Sequence, residues 1–171
     1  MARITLVPAD PDWPVRAAGM AETLGRLLDG ITAEIVHIGS TAVPGLDAKP
    51  KIDLDILLPS DSVAEAERRL VGAGFVSHGD PHGQGLCALT GDLGLACRLY
   101  LMAPDHPVHG ARVRFRDRLR TDADLRRRYL RLKQRLARLH PEDADAYTAG
   151  KTRFVACASR PSPFPPERHG R

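Results

Sequence analysis

Residues 37–58 read His37-Ile38-Gly39-Ser40-Thr41-Ala42-Val43-Pro44-Gly45-Leu46-Asp47-Ala48-Lys49-Pro50-Lys51-Ile52-Asp53-Leu54-Asp55-Ile56-Leu57-Leu58. The second half alternates like a β-strand, with aliphatic residues on one face and Asp53 and Asp55 on the other. Their Cα atoms then lie roughly 6–7 Å apart. Two carboxylates about 5 Å apart repel by about 3 kcal/mol at an effective dielectric constant of 20 unless a cation lies between them. Because oxygen ligands suit Mg²⁺ or Mn²⁺, the pair predicts a metal site.

The first half of the stretch predicts a phosphate site. Residues 35–38 have the pattern of a buried strand that ends at Gly39-Ser40. Glycine lets the backbone approach a ligand, and serine supplies a hydroxyl group and can cap a following helix. A phosphate site at one strand end, beside a carboxylate pair on the next strand, suits phosphoryl or nucleotidyl transfer. Each feature alone also fits a surface turn and a solvated acidic strand face.

The joint pattern, Gly39-Ser40 followed by an Asp-x-Asp strand, resembles the signature of the DNA polymerase β-like nucleotidyltransferase superfamily. The fuller string is similar to the GrpB family, a branch of that superfamily, and reads His37-Ile38-Gly39-Ser40-Thr41-x-Val43-Pro44-Gly45-Leu46-x-x-Lys49-Pro50-x-Ile52-Asp53. The similarity extends to about residue 157 through three further segments: Asp10-Pro11-x-Trp13-Pro14, Phe115-Arg116-Asp117-x-Leu119-Arg120 and Ala146-Tyr147-x-x-Gly150-Lys151-x-x-Phe154-Val155.

The resemblance implies a nucleotidyltransferase-like α/β (α+β) fold, with a mixed sheet packed by helices and a C-terminal helical section. It implies that Asp53 and Asp55 are catalytic and hold Mg²⁺ while a nucleoside triphosphate binds beside them. The nucleotide-binding residues that it implies are His37, Gly39, Ser40, Thr41 and Lys49, and Arg98 is a further candidate because its guanidinium can grip a phosphate. For His37 two roles stay open, because its ring can hydrogen-bond the substrate or hold the loop that follows it.

The later strand, predicted over residues 95–102, departs from the superfamily pattern. Active nucleotidyltransferases usually place a third carboxylate there, and GrpB relatives typically carry His-x-His, whereas this chain has Arg98-x-Tyr100. An arginine that faces the site neutralises Asp53 and Asp55 and competes with a metal, or it grips a phosphate. The sequence therefore predicts weak binding of Mg²⁺ if Arg98 faces the cavity.

Length and composition favour one globular domain. The chain has 171 residues, of which 43% are hydrophobic and 27% charged, enough for a core and unlike a disordered protein. No apolar run suits a membrane span, the N-terminus lacks a signal-peptide pattern, and three cysteines without metal-type spacing suit a reducing cytoplasm. We expect a domain over residues 1–158, with a sheet part at about 1–103 and a helical part at about 108–158. The Pro-rich residues 159–171 predict a disordered tail.

Positive charge is concentrated in residues 112–138, which hold twelve Lys or Arg and three Asp. This asymmetry predicts a polyanionic partner such as RNA, although solvated, arginine-rich helix faces are equally compatible with it. Lys133 is one of six basic residues that surround the apolar stripe of a predicted helix in this region. We expect the arginine-rich helices to show a continuous positive face on the same side as the predicted phosphate site. The last predicted helix is continuous from about Ala144 to Ala158.

Three classes of function follow from these features. The first is a nucleotidyltransferase-like protein that binds a nucleoside triphosphate and transfers a nucleotidyl group to an acceptor. The second is a binding module without transfer chemistry, for RNA or a nucleotide-linked small molecule. A coenzyme A precursor enters only by analogy, through the fusion of GrpB-like domains to dephospho-coenzyme A kinases. The third is a regulator that binds only other proteins.

Overall fold

The computed structural model describes residues 3–81 and 83–161. His82 and most of the predicted Pro-rich tail, residues 162–171, lie outside the described residues. The strands are β1 (Glu34–Ile38), β2 (Ile52–Leu57), β3 (Val76–Ser77), β4 (Cys87–Asp92) and β5 (Ala96–Met102). The helices are α1 (Trp13–Leu27), α2 (Val63–Gly72), α3 (Pro107–Thr121), α4 (Ala123–Leu139), α5 (Ala144–Ala149) and α6 (Thr152–Ala158).

The strands form one mixed sheet in the order β1-β2-β5-β4-β3. Strand β2 pairs antiparallel with β1 and parallel with β5, and the outer pairs are antiparallel. The register places Asp53 opposite Ile38 on one side and opposite Arg98 on the other. The predicted mixed-sheet α/β class is therefore confirmed, with β2 and β5 at the centre.

The alternation in β2 decides which face of the sheet is buried under which helices. Its aliphatic face, with Ile52, Leu54 and Ile56, lies in the main core with residues of α1 and α2 such as Leu24 and Leu70. These side chains are at most 1% exposed, so the first two helices cover this face completely. The acidic face of β2 points the other way, toward α3.

A second core joins the helical section to the loop after β1. Val43 and Leu46 from that loop pack with Phe115 and Tyr129 from α3 and α4. The Phe115 and Tyr129 rings meet edge to face with centroids 5.0 Å apart, and Phe154 of α6 stacks on Tyr129 at 5.3 Å. The helical section is thereby held over the acidic face of the sheet and leaves a cavity between the two.

The helix predicted from Ala144 to Ala158 is interrupted, so the prediction of one continuous helix is wrong. Helix α5 ends at Ala149 and α6 begins at Thr152. Gly150 lies so close to α4 that a Cβ atom there would stand 2.4 Å from Leu136 Cδ2. The break directs Lys151 into the cavity. None of the helices in the described ranges is long and apolar enough to cross a membrane.

Candidate functional site

A cavity of about 390 Å³ lies between the ends of β1, β2 and β5 and the helical section. Its volume falls in the usual range for small-molecule sites. The residues with polar side chains that line it include Ser40, Thr41, Lys49, Lys51, Asp53, Arg98, Tyr100, Arg112, Tyr129, Lys133, Tyr147, Thr148, Lys151 and Ser159. Six of these are cations and one is a carboxylate, so the lining carries an excess of five positive charges when every lysine is protonated.

Gly39 and Asp53 meet at the floor of the cavity. Gly39 has φ 78° and ψ −170°, a backbone conformation that is almost restricted to glycine. A Cβ atom on Gly39 would stand 2.7 Å from Asp53 Oδ2. The glycine of the motif therefore allows the loop after β1 to pass directly over the Asp53 carboxylate, and the following Ser40 faces the cavity.

The structure separates the two aspartates that the sequence paired. Both lie on the predicted face of β2, but Asp55 is fully buried and does not line the cavity. Asp55 Oδ2 accepts a hydrogen bond from His109 Nδ1 at 2.9 Å, and Asp55 Oδ1 pairs with Arg112 Nη1 at 2.6 Å. The prediction that both carboxylates point into one cavity therefore holds for Asp53 only, because α3 supplies two partners that cover Asp55.

Arg98 lies at the strand position where the superfamily carries a third carboxylate. It is the register partner of Asp53 on β5 and lines the cavity, as the sequence predicted. Its Nε atom is buried and, among the described residues, has no hydrogen-bond partner. Tyr100, two residues on, presents its ring to both Arg98 and Arg112, whose guanidinium carbons lie 5.9 and 3.7 Å from the ring centroid.

The residues present do not fit a divalent cation. Both oxygens of Asp55 are engaged by α3, which leaves Asp53 as the carboxylate that faces the cavity. In residues 3–81 and 83–161, no cluster of three His, Cys, Asp or Glu side chains could hold a metal ion. A dication beside Asp53 would also lie near Arg98 and Lys49, whose like charge opposes it. The Mg²⁺ site expected at Asp53 and Asp55 stays an untested prediction with a poor donor set.

Lysine is used in a single place in this protein. The chain has four lysines among its twenty-five Lys and Arg residues, and all four line the cavity. The Nζ atoms of Lys49 and Lys151 lie 4.9 and 4.4 Å from the centroid of the Tyr147 ring. Lys133 is 2% exposed and donates a hydrogen bond to the backbone oxygen of Asp47. The sequence pattern placed Lys133 beside the apolar stripe of this helix, and the structure buries it.

Burial and the positive charges of neighbouring side chains lower the pKa values of Lys49, Lys133 and Lys151. Burial lowers the pKa of Lys133 from 10.5 to about 7, and the nearby charge of Lys151 acts in the same direction. Burial, with Lys49 next, lowers the pKa of Lys151 to about 8. Burial and then Lys51 lower the pKa of Lys49. A polyanion in the cavity would raise all three values, so it would bind together with protons.

These pKa values predict that the free energy of unfolding of the ligand-free protein rises with pH from about 7 to about 9. The unfolded chain keeps lysine protons up to a pKa near 10.5, whereas folded Lys133 and Lys151 release them from about 7 and about 8. The unfolded state therefore binds more protons in this window, and each lysine contributes at most about 1.4 kcal/mol per pH unit. Urea unfolding in phosphate-free buffer measures the slope.

Lys133→Met and Lys151→Met should each flatten this slope, and a flat or falling wild-type profile would contradict the prediction. The measurement stops near pH 9 because the thiols of the unfolded chain release protons around their ordinary pKa of 9.0. Burial raises the pKa of Cys97 to about 11 and also raises that of Cys87, so these two thiols keep their protons longer in the folded state and oppose the lysines.

The structure favours the loop-holding role for His37. Its Nε2 atom lies 3.0 Å from Thr41 Oγ1, and its backbone oxygen accepts a hydrogen bond from Arg116. Burial, and then the charges of Arg120 and Arg116, lower the pKa of His37 to about 4, so the ring is neutral at physiological pH. The ring is absent from the cavity lining, whereas its partner Thr41 is part of it.

Most arginines near the start of the basic region serve the fold. Arg112 reaches the cavity, but its neighbours bond backbone oxygens, and exposed Arg127 pairs with Asp124. The carbonyl contacts are Arg114 to Ser159, Arg116 to His37, Arg118 to Ala158, Arg120 to Ala42 and Arg126 to Leu119. Of residues 112–138, the basic side chains that line the cavity are Arg112 and Lys133, and RNA binding by this region stays a prediction.

Sequence reasoning placed Gly39, Ser40, Thr41, Lys49, Asp53 and Arg98 in the site, and all six line the cavity. It missed Lys51, Lys133 and Lys151 as site residues, together with the contacts of His109 and Arg112 to Asp55. Two signals were available: Lys151 stands inside a family-like segment, and the four lysines stand out in an arginine-rich chain.

Comparison with known proteins places this geometry in context. A family profile described as GrpB protein matches residues 3–160. The UPF0157 protein PA4798 of Pseudomonas aeruginosa is 38% identical over an alignment that covers 90% of this chain and 65% of the relative. A dephospho-CoA kinase of Mycolicibacterium paratuberculosis is 28% identical, with 93% of this chain covered but 46% of the kinase. The chain thus spans less than two thirds of the length of both relatives.

Solved structures agree on the fold. The crystal structure of the conserved protein GrpB from Enterococcus faecalis matches with a TM-score of 0.81 and 25% identity, and covers 91% of this chain and 94% of that one. A crystal structure of the Cid1 poly(U) polymerase with Mg and 3′-dATP bound matches with a TM-score of 0.55 and 17% identity, and covers 86% of this chain and 49% of that one. The latter similarity supports a nucleotidyltransferase-like fold alone.

Proposed function

The chain belongs to the GrpB family, with its nucleotidyltransferase-like fold, and we propose that it binds the phosphate chain of a nucleotide without transferring it. The observation that carries this proposal is the convergence of all four lysines, with Arg98 and Arg112, on one cavity. A polyphosphate is the small ligand that can neutralise so many cations at once. The position of the cavity, at Gly39-Ser40 beside the Asp-x-Asp strand, supports a nucleotide over other polyanions.

The transfer step is left out of the proposal for a chemical reason. Nucleotidyl transfer needs cations that neutralise the leaving pyrophosphate and activate the acceptor oxygen, and in this superfamily carboxylates hold them. Here the Asp55 carboxylate is hydrogen-bonded to His109 and paired with Arg112, and β5 offers Arg98 where the third acid is expected. The cations of the lining can bind phosphates, but among the described residues Asp53 is the one carboxylate of the lining, so the paired carboxylates that would hold an activating cation are missing.

A thermal-shift panel tests the proposal. At a ligand concentration of about 100 Kd, binding to the native state alone adds about 2.7 kcal/mol, which for a chain of this size raises Tm by about 5–10 °C. The panel contains the four nucleoside triphosphates, tripolyphosphate and dephospho-coenzyme A, the last because of the similarity to dephospho-CoA kinases. We expect a shift with phosphate-rich ligands that disappears in a Lys49→Met, Lys151→Met double variant.

Arg135→Met, an exposed change on α4 outside the cavity, is the control and should keep the full shift. A panel without any shift would contradict nucleotide binding. Incubation with radiolabelled triphosphates, Mg²⁺ or Mn²⁺ and candidate acceptors checks the other half of the proposal, for which we expect no pyrophosphate release. Robust release that is abolished by Asp53→Asn would show that the protein is a working transferase.

A further inference from the structure

We propose that this site binds its polyphosphate without a divalent cation, because Arg112 and Arg98 take the place of the metal ion beside the Asp-x-Asp strand. The inference rests on the proposed function and adds how the charge of the ligand is neutralised. The inference depends on the two carboxylates of β2. Asp55 is already bound by the Arg112 guanidinium, and Asp53 faces a cavity lined by cations.

Arg112 is paired with Asp55, one of the two carboxylates that the sequence predicted as metal ligands. Its Nη1 group is 2.6 Å from Asp55 Oδ1, and its guanidinium carbon is 3.7 Å from the centroid of the Tyr100 ring. Among the described residues, the Arg112 guanidinium donates one hydrogen bond, to Asp55. Its other N–H groups are therefore available to a ligand. The side chain lines the cavity and is 24% exposed, so a ligand can reach it. The ion pair and the ring contact therefore preorganise a phosphate-binding guanidinium.

Arg98 supplies an independent sign of an absent acceptor. Its Nε atom is buried in the cavity lining and, in the part of the chain that the structure describes, finds no hydrogen-bond partner. Unsatisfied buried donors are rare in native proteins, since each one forfeits its hydration. A small rotation of the Arg98 side chain, which lines the cavity, would bring this donor to a phosphate oxygen. Guanidinium groups suit that ligand because their N–H groups match the oxygens in pairs.

The remaining charges of the lining favour an anion and disfavour a dication. Asp53 faces Lys49, Lys51 and Lys151 in addition to the two arginines, so the net field in the cavity is positive. A metal ion would have to enter against this field with one free carboxylate as its protein ligand. A polyphosphate without a bound metal ion is attracted to the cavity with its full negative charge. A polyphosphate that is already partly neutralised by Mg²⁺ is attracted less strongly.

Calorimetric titration of the full chain with tripolyphosphate, in excess EDTA and in excess MgCl₂, tests the inference. We expect binding in EDTA, with a Kd that Mg²⁺ leaves within about threefold or weakens. Binding that is tightened about tenfold or more by Mg²⁺, or that occurs only with it, would overturn the inference and leave the proposed function standing. An absence of binding in both buffers would overturn the proposed function itself, and the inference with it.

Two variants make the assignment of residues falsifiable. Asp53→Asn removes the carboxylate that repels the ligand, so in EDTA it should tighten tripolyphosphate binding, whereas a site bridged by metal would lose affinity in Mg²⁺. Arg98→Gln should weaken binding by about 10- to 100-fold, since it removes charge-assisted hydrogen bonds. Arg131→Gln, on the exposed side of α4, is the matched control and should bind like wild type. Equal affinity of the Arg98→Gln and Arg131→Gln variants would overturn the inference.

Discussion

Asp55→Asn should lower the free energy of unfolding by about 3–5 kcal/mol, the largest effect that we expect from a single substitution in this protein. The carboxylate is fully buried and accepts from His109 on one oxygen and Arg112 on the other. Removal of its charge leaves the Arg112 guanidinium without its counterion inside the protein, which costs more than the pair itself contributes. Urea unfolding measures the loss.

Asp53→Asn is the matched control, because it makes the same change two residues away on the same face of β2. In the described part of the chain Asp53 makes no ion pair, so we expect a change in unfolding free energy of less than about 1 kcal/mol. A loss of that small size in Asp55→Asn as well would show that the stacking on Tyr100 holds Arg112 by itself. If Asp55→Asn shows the expected loss, the Asp55→Asn, Arg112→Met double variant should recover part of it, since both charges are gone.

Gly39→Ala should lower the free energy of unfolding by about 2–4 kcal/mol and abolish binding of tripolyphosphate. Two costs add: the backbone at φ 78° and ψ −170° disfavours any side chain, and the new Cβ atom would stand 2.7 Å from Asp53 Oδ2. The Asp53 carboxylate can rotate away, but its Cβ atom is fixed by the backbone pairing of β2 with β1 and β5 and would still stand 3.1 Å from the new methyl group. The loop after β1 must therefore shift, and Ser40 and Thr41 move with it.

Gly25→Ala gives the same chemical change with the opposite expected sign. Gly25 is exposed within α1, and a Cβ atom there would meet nothing within 4 Å. Alanine is the better helix former, so this variant should gain up to about 1 kcal/mol and bind tripolyphosphate normally. If Gly39→Ala also kept its stability and its affinity, the close passage of the loop over Asp53 would not be a requirement of the site.

The strand at the centre of the site could be predicted well from the sequence. Alternation places β2 at residues 52–58, and the structure has Ile52–Leu57 with the aliphatic face buried as expected. The Gly39-Ser40 turn could also be predicted from local sequence, because a Gly-Ser pair directly after an apolar run marks the end of a strand. Arg98 could be placed because the family resemblance puts a site residue on the later strand, and the structure pairs that strand, β5, with β2.

The burial of Asp55 could not be predicted, because its partners His109 and Arg112 are 54 and 57 residues away in the chain. Period-two alternation predicts which face of the sheet a side chain lies on. It does not predict which helix from later in the chain packs against that face and covers the side chain. The burial of Lys133 was also not predicted from the sequence. A lysine beside an apolar stripe is usually solvated, but Lys133 stands four residues after Tyr129 and three before Leu136, on the buried face of α4.

The confinement of lysine to the cavity makes the ε-amine a built-in reporter. Reductive methylation with ¹³C-formaldehyde would give lysine signals in an NMR spectrum that all come from the site, and their shifts with pH would trace its protons directly. The same confinement exposes the site to acylation, since each acetyl group placed on a lysine of this protein removes one positive charge from the cavity. A metabolic acyl donor would therefore act as an inhibitor of polyphosphate binding wherever on the lysines it reacted.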